Sequence, residues 1–290
     1  DADGKPVHRF VGSSPAEEFL AKIKISLNPE TQYYTLLNQY NNGKKESAFL
    51  LNMAKAALEA YDMQNAMKIA DEYLATQKDL YTKDNLTFLK QVTQKSSDKG
   101  FDIMLNHADK VDAVLGKGEA ESIAQSIIMR EEVFKNFPGD PKSKPDWQKM
   151  ESGLIKKYPA QAPEAIAKAK VIWYQHAADW NNYQNAIVNY MTKYGTNASS
   201  EELNNYAWTV FQNCPDMKCV AEALEWSKRS FDGNNTPGFI DTYANILYKL
   251  GRKDEAIEWE NKAMGFAQGD DKKGYQEVID KMKNNEKTWN

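Results

Sequence analysis

The sequence predicts an all-α protein: a superhelix (solenoid) of paired helices, opened by a short N-terminal β-hairpin. Three observations predict it. Ala244, Gly251, Ala256 and Ala263 stand seven, five and seven residues apart, and Ala54, Tyr61, Ala66 and Tyr73 repeat that spacing. Ala186, Ala223 and Ala256 recur after 37 and 33 residues, about the length of one helical hairpin per unit. From Asn28 onward apolar residues keep the three- and four-residue spacing of a helix face.

The totals agree with this class. At 290 residues the chain is long enough for a sizeable core or for several stacked units. Charged residues make up 27%, both signs are mixed throughout, and the net charge is −4. Without a basic stripe, general nucleic-acid binding is not expected. No apolar run approaches the length of a membrane span, and the opening DADGKPVHRF has no apolar segment of a signal peptide. The low mean hydropathy, −0.72, fits long polar helix faces, and seven Trp with fifteen Tyr favour folded helices over disorder. No cofactor is expected. Two cysteines are too few for a disulfide-dense scaffold and do not fix the compartment.

Taken in order, residues 1–27 differ from the rest. Asp3-Gly4 signals a hairpin turn, and Val7, Arg9 and Val11 alternate with His8 and Phe10 as in a short strand. Ser14, Pro15 and Glu17 read as a capping box before a helical stripe of Phe19, Leu20, Ile23 and Leu27. Residues 28–140 read as degenerate helical repeats. Pro29 to Tyr40 is a short helix ended by Asn41-Asn42-Gly43, and Ser47 to Ala75 a pair turning at Tyr61-Asp62-Met63. Leu86 to Lys95 is another helix, and Lys99–Leu115 pairs with Glu119–Phe137 around Gly116-Lys117-Gly118. The strongest loop signal, Pro138-Gly139-Asp140-Pro141, separates these from residues 141–290, where cleaner repeats continue the same solenoid. Helices are expected at Trp147–Tyr158, Pro163–Trp180, Tyr183–Tyr194, Leu203–Asn213, Cys219–Phe231 and Lys272–Asn284. Ser199 with Glu202 forms a second capping box. Between the last two of these helices, Thr236 and Pro237 suit a helix start, Gly251 a helix exit, and Asp254 and Glu255 the positive start of a partner helix.

The stretch from Thr236 to Ala267 resembles the tetratricopeptide (TPR) repeat, a helix–turn–helix of about 34 residues, and the resemblance implies a right-handed superhelix. Tyr206-Ala207-Trp208 and Asp241-Thr242-Tyr243-Ala244 with Leu250-Gly251 look typical of such arrays. The opening resembles the end of a thioredoxin domain, a hairpin of the type D-x-x-G-K-x-V-x-R-x-x-G followed by the last helix. Asp1, Gly4, Lys5, Val7, Arg9 and Gly12 match it. The resemblance makes residues 1–27 a thioredoxin-like remnant, with that family's Cys-x-x-Cys and cis-proline upstream of this chain. The whole then resembles a bacterial thioredoxin-family protein with a C-terminal TPR region. What this implies is a non-catalytic scaffold that binds a protein or peptide, as part of a periplasmic or otherwise extracytoplasmic thiol–disulfide oxidoreductase. In TPR proteins the first helix of each repeat lines the concave groove, which places Asn204, Trp208, Asp241, Asn245 and Tyr248 on that surface. The family's carboxylate clamp for peptide C-termini would prefer a base where Asp241 stands, a departure from that mode.

The sharpest local chemistry is Cys214-Pro215-Asp216-Met217-Lys218-Cys219. One cysteine ends a helix and the other starts the next, close enough for a disulfide, whose Cα atoms lie about 4.4–6.8 Å apart. A structural disulfide, two free thiols and a thiol-exchange pair are all open readings. In the last, Cys219 beside Lys218 at a helix start would carry the favoured thiolate. Two thiols alone do not make a zinc site. His8, His107 and His176 are scattered and read as packed or surface imidazoles. Acidic pairs are plentiful and read as solvated helix faces. Trp173, Tyr174, Trp180 and Tyr183 form one aromatic cluster, and Trp208, Trp226 and Trp259 another. Most read as core, and a Trp/Tyr-lined groove for a glycan or small ligand is the further alternative.

Overall fold

The computed structural model describes residues 2–289, which form sixteen α-helices and no strand. The chain divides into two compact units, residues 1–127 and 128–290.

In the first unit the expected β-hairpin is replaced by an extended segment that caps helices. Gly4, at φ 75°, makes the turn, and residues 5–11 pair with no strand among the described residues. Asp1, part of the hairpin motif, lies outside those residues. Helix N–H groups in the first turn have no partner inside their own helix. The segment supplies two for α2 (Tyr33–Asn41): Tyr34 N–H donates to the Val7 carbonyl at 3.1 Å, and Tyr33 N–H to His8 Nδ1 at 3.1 Å. A third bond runs from Val11 N–H to the Glu59 carbonyl at 3.2 Å. The alternation of residues 7–11 thus reflects partners on helix ends, not a ladder.

Helix α1 (Ala16–Ile25) begins after Pro15, so Ser14 does not reach the capping position and the first capping box does not form. Ser14 Oγ instead accepts from Lys22 Nζ at 3.2 Å. The stripe is helical but uncovered: Phe19, Leu20, Ile23 and Leu27 are between 38% and 76% exposed. By contrast α3 (Ser47–Glu59) and α4 (Met63–Ala75) form a tight hairpin, with Ala54, Ala57 and Ala66 fully buried between them. At its turn Tyr61 adopts φ 55°, which lets Asp62 N–H reach the Ala57 carbonyl and Tyr61 N–H the Leu58 carbonyl, both at 2.9 Å. This is the Schellman exit. Asp62 then caps α4 through Asn65 N–H.

Next come α5 (Lys83–Val92), α6 (Lys99–Asn106), α7 (Ala108–Leu115) and α8 (Glu119–Ile128). The helix expected over 99–115 breaks at His107, whose ψ of 36° leaves the helical region. The break lets both α6 and α7 pack on α5. Gly100 makes the α5–α6 approach possible, because a Cβ there would lie 1.9 Å from Thr93 Oγ1.

The second unit holds α9 (Trp147–Lys157), α10 (Ala162–His176), α11 (Trp180–Tyr194), α12 (Ser200–Asn213), α13 (Met217–Ser230), α14 (Pro237–Lys249), α15 (Lys253–Phe266) and α16 (Asp271–Lys283). The helix expected to continue to Phe137 instead widens into a π turn at Met129–Val133 and tightens into a 3₁₀ turn at Phe134–Asn136. Helices α10/α11, α12/α13 and α14/α15 form successive hairpins, and α11 touches α13 as α12 touches α14. Both halves of the Ser199–Glu202 capping box are present at α12.

The second helices of these hairpins begin after Asp179, Asp216 and Arg252, 37 and 36 residues apart. Counted from those positions, the equivalent residues are Tyr183, Val220 and Ala256, all at 0% exposure. Ala186 and Ala223 are equivalent to each other but sit one turn further along than Ala256. The expected spacing of 37 and 33 therefore mixed two positions of one repeat.

Candidate functional site

Helices α12 and α14 carry all five residues expected to line a groove. Asn204, Trp208 and Phe211 follow at three- and four-residue steps on α12, and Asp241, Asn245 and Tyr248 on α14. The structure treats the five differently. Trp208 is 39% exposed and stacks 5.1 Å from Phe211. Tyr248 is half-buried, and burial raises its hydroxyl pKa. Asn204 is half-buried, with its amide oxygen free of any hydrogen-bond donor among the described residues. Asn245 is only 2% exposed. Its amide donates to the Asp241 carbonyl at 2.9 Å and to Asp241 Oδ1 at 3.0 Å. It positions Asp241 and offers no groove surface.

What lies over this face is the segment that follows α16 (Asp271–Lys283). Asn285, at φ 61°, turns the backbone after α16, with Glu286 N–H bonded to the Lys281 carbonyl at 2.9 Å. Lys253 Nζ fastens the turn to α15 through the Lys283 carbonyl at 2.9 Å and Asn285 Oδ1 at 2.8 Å. The Trp289 ring then rests 5.9 Å from Phe211 and 6.2 Å from Tyr248. Lys249 joins the cluster. Its ammonium lies 5.4 Å from the Trp289 ring and 5.5 Å from that of Phe211, within cation–π range. It also donates to the backbone carbonyls of Phe211 and Cys214. Phe211 was not among the expected residues, though its place one turn beyond Trp208 on the same face could have found it. Lys249 and Trp289 carried no such mark, because they meet α12 only through the tertiary fold.

Cys214 and Cys219 are both free and buried. The hydrogen bond with Cys219 lowers the Cys214 thiol pKa, and the Lys249 ammonium adds to that. The interaction with Cys214, and burial, raise Cys219, whose thiol donates to the Gln184 carbonyl at 4.0 Å. At 1% and 3% exposure neither sulfur offers an approach to a partner disulfide.

The solvated-face reading of the acidic residues fails at Glu260. It lies one turn after Ala256 on the buried stripe of α15 and is 0% exposed. No N–H or hydroxyl of the described residues reaches its carboxyl oxygens, and its neighbour is the Asp241 carboxyl on α14. Burial, followed by the Asp241 charge, pushes Glu260 up to about 10. Burial also raises Asp241. Two carboxyls this close do not both ionise, so the pair keeps a proton at neutral pH. The register of 256, 260 and 263 was the signal that could have found it.

The three histidines sit on separate elements. His8 accepts at the start of α2, His107 stands at the α6–α7 break 5.9 Å from the Tyr81 ring, and His176 is exposed at the end of α10. Among the described residues no three His, Cys, Asp or Glu side chains are grouped so as to hold a metal ion, and no helix is long and apolar enough to cross a membrane. Comparison with protein-family models and with curated proteins finds no match to this chain.

Proposed function

We propose that this chain is a helical-repeat scaffold that binds a protein or peptide segment across the face of α12 and α14. In this reading its hairpins wind as a right-handed, TPR-like superhelix. The observation that carries the proposal is Trp289. A peptide segment already lies on this face, with an aromatic side chain against Phe211, Tyr248 and Lys249. A surface that accepts its own chain in this way suits an external segment of the same kind. Large aromatic rings are the usual anchors of such contacts.

The thioredoxin resemblance extends the reading. The scaffold would serve as the non-catalytic part of an extracytoplasmic thiol–disulfide oxidoreductase. The uncovered stripe Phe19–Leu20–Ile23 on α1 supports this, since it suits packing against further protein.

Fluorescence anisotropy with a labelled peptide copying residues 281–290 tests the binding face. The Trp289→Ala chain, its own anchor removed, is expected to bind the peptide more tightly than the unaltered chain. Adding Trp208→Ala should weaken that binding at least about tenfold. If the peptide ignores the Trp289→Ala chain, the face is a packed end of the fold and not a binding surface.

A further inference from the structure

A pocket of about 660 Å³ opens elsewhere in the second unit, between the end of α13, the loop that follows it and α15. Its volume is within the range of small-molecule sites. Phe231, Ile240, Trp259 and Phe266 give it an apolar lining. Its cations are placed unusually. Lys228 Nζ lies 4.1 Å from the Trp259 ring centre, 4.6 Å from that of Phe231 and 5.4 Å from that of Tyr243. Lys262 Nζ lies 3.8 Å from the Trp259 ring.

Ring faces hold an ammonium in place but do not cancel its charge. Neither lysine forms an ion pair with a carboxylate among the described residues. Arg229 adds a third cation to the wall. Its guanidinium donates to the Gly195 and Thr196 carbonyls at 2.7 and 3.1 Å, which fixes it without neutralising it. Against these three stands one carboxylate, Asp232. A concave, apolar-lined site of positive charge, in a chain of net charge −4, concentrates anions.

We infer that this pocket binds a small organic carboxylate: one anionic head set between Lys228 and Lys262, on a ring or short apolar body that lies against Phe231, Trp259 and Phe266. Asp232 disfavours a second negative charge, so a monoanion fits better than a phosphate monoester. The site is separate from the α12–α14 face, and the inference does not depend on peptide binding there.

Calorimetric titration of the full chain at low ionic strength tests it, with benzoate and its neutral isostere benzamide as probes and the Trp259 indole N–H NMR signal as locator. Benzoate is expected to bind and shift that signal, and benzamide to bind about tenfold more weakly, the difference one charge-assisted contact makes. Phenyl phosphate is expected to bind no better than benzoate. The Lys228→Met, Lys262→Met double variant should lose the preference for benzoate. Both side chains are exposed, so its helicity should match that of the unaltered chain. The inference is overturned if benzoate and benzamide bind alike, if the double variant keeps its benzoate affinity, if phenyl phosphate binds more tightly, or if benzoate leaves the Trp259 signal unmoved.

Discussion

Glu260 shows what a single residue contributes that composition hides. It occupies a core position of α15, and the fold tolerates it because the Asp241–Glu260 pair retains a proton. The groups that face it are Asp241 from α14 and Tyr275 from α16, both also raised by burial. Folded, Glu260 keeps its proton up to about 10; unfolded, it releases it near the usual 4.5. Between those values the unfolded chain binds fewer protons than the folded one. The contribution is therefore complete below about pH 4.5 and is lost as pH rises toward about 10. Glu260→Gln removes the ionisation and leaves an amide that can donate to Asp241. The variant should match the original chain near pH 5 and exceed it at pH 9 by on the order of 1–3 kcal/mol. Urea unfolding at the two pH values measures this. Equal midpoint shifts with pH in both proteins would mean that Glu260 does not hold its proton.

At the scale of elements, the turns explain why the hairpins were legible. A Schellman exit from a helix needs one residue in the left-handed region, and glycine adopts it at no steric cost. Gly251, at φ 82°, announces its turn in the sequence. Tyr61 and Ala178 hold the same place at φ 55° and 51°, with the same pair of Schellman bonds, and nothing in their identity announces it. In both the aspartate that follows, Asp62 or Asp179, caps the next helix, yet the helix expected over 163–180 ran through Ala178 and Asp179, where the structure ends α10 at His176 and starts α11 at Trp180. Where such local chemistry was shared or displaced, the reading failed. Pro15 took the capping place from Ser14, and His107 divided a periodic stretch whose halves both pack on α5. Ala178 is exposed and loses no packing when its methyl is removed. Ala178→Gly should therefore stabilise the protein by about 0.5–1 kcal/mol, through relief of the left-handed strain less the added chain entropy. Its urea midpoint should rise without a change in slope, and an unchanged or lower midpoint would show that the turn carries no strain.

At the scale of the whole molecule, the all-helical class was legible because helices are specified by near neighbours in the chain. The candidate face was legible only in part, because Trp289 meets Phe211 across 78 residues of sequence and Glu260 meets Asp241 across 19. The same contrast bears on how the chain unfolds. Its contacts gather into two compact units, and in the second they run between successive hairpins. A chain of two compact units is not expected to unfold in a single all-or-none transition. Gly100→Ala probes this in the first unit. The new Cβ would fall 1.9 Å from Thr93 Oγ1 and 3.1 Å from Leu89 Cδ2, so α5 and α6 must separate. Overpacking of this kind costs about 1–3 kcal/mol. Native-state hydrogen exchange should then show faster exchange of amides in α5, α6 and α7, while those of α12 to α15 keep their protection. Replacing Thr93 by Ala in the same chain removes the hydroxyl that clashes and should restore part of the loss. Equal loss of protection in α12 to α15 would instead mean that the two units unfold as one.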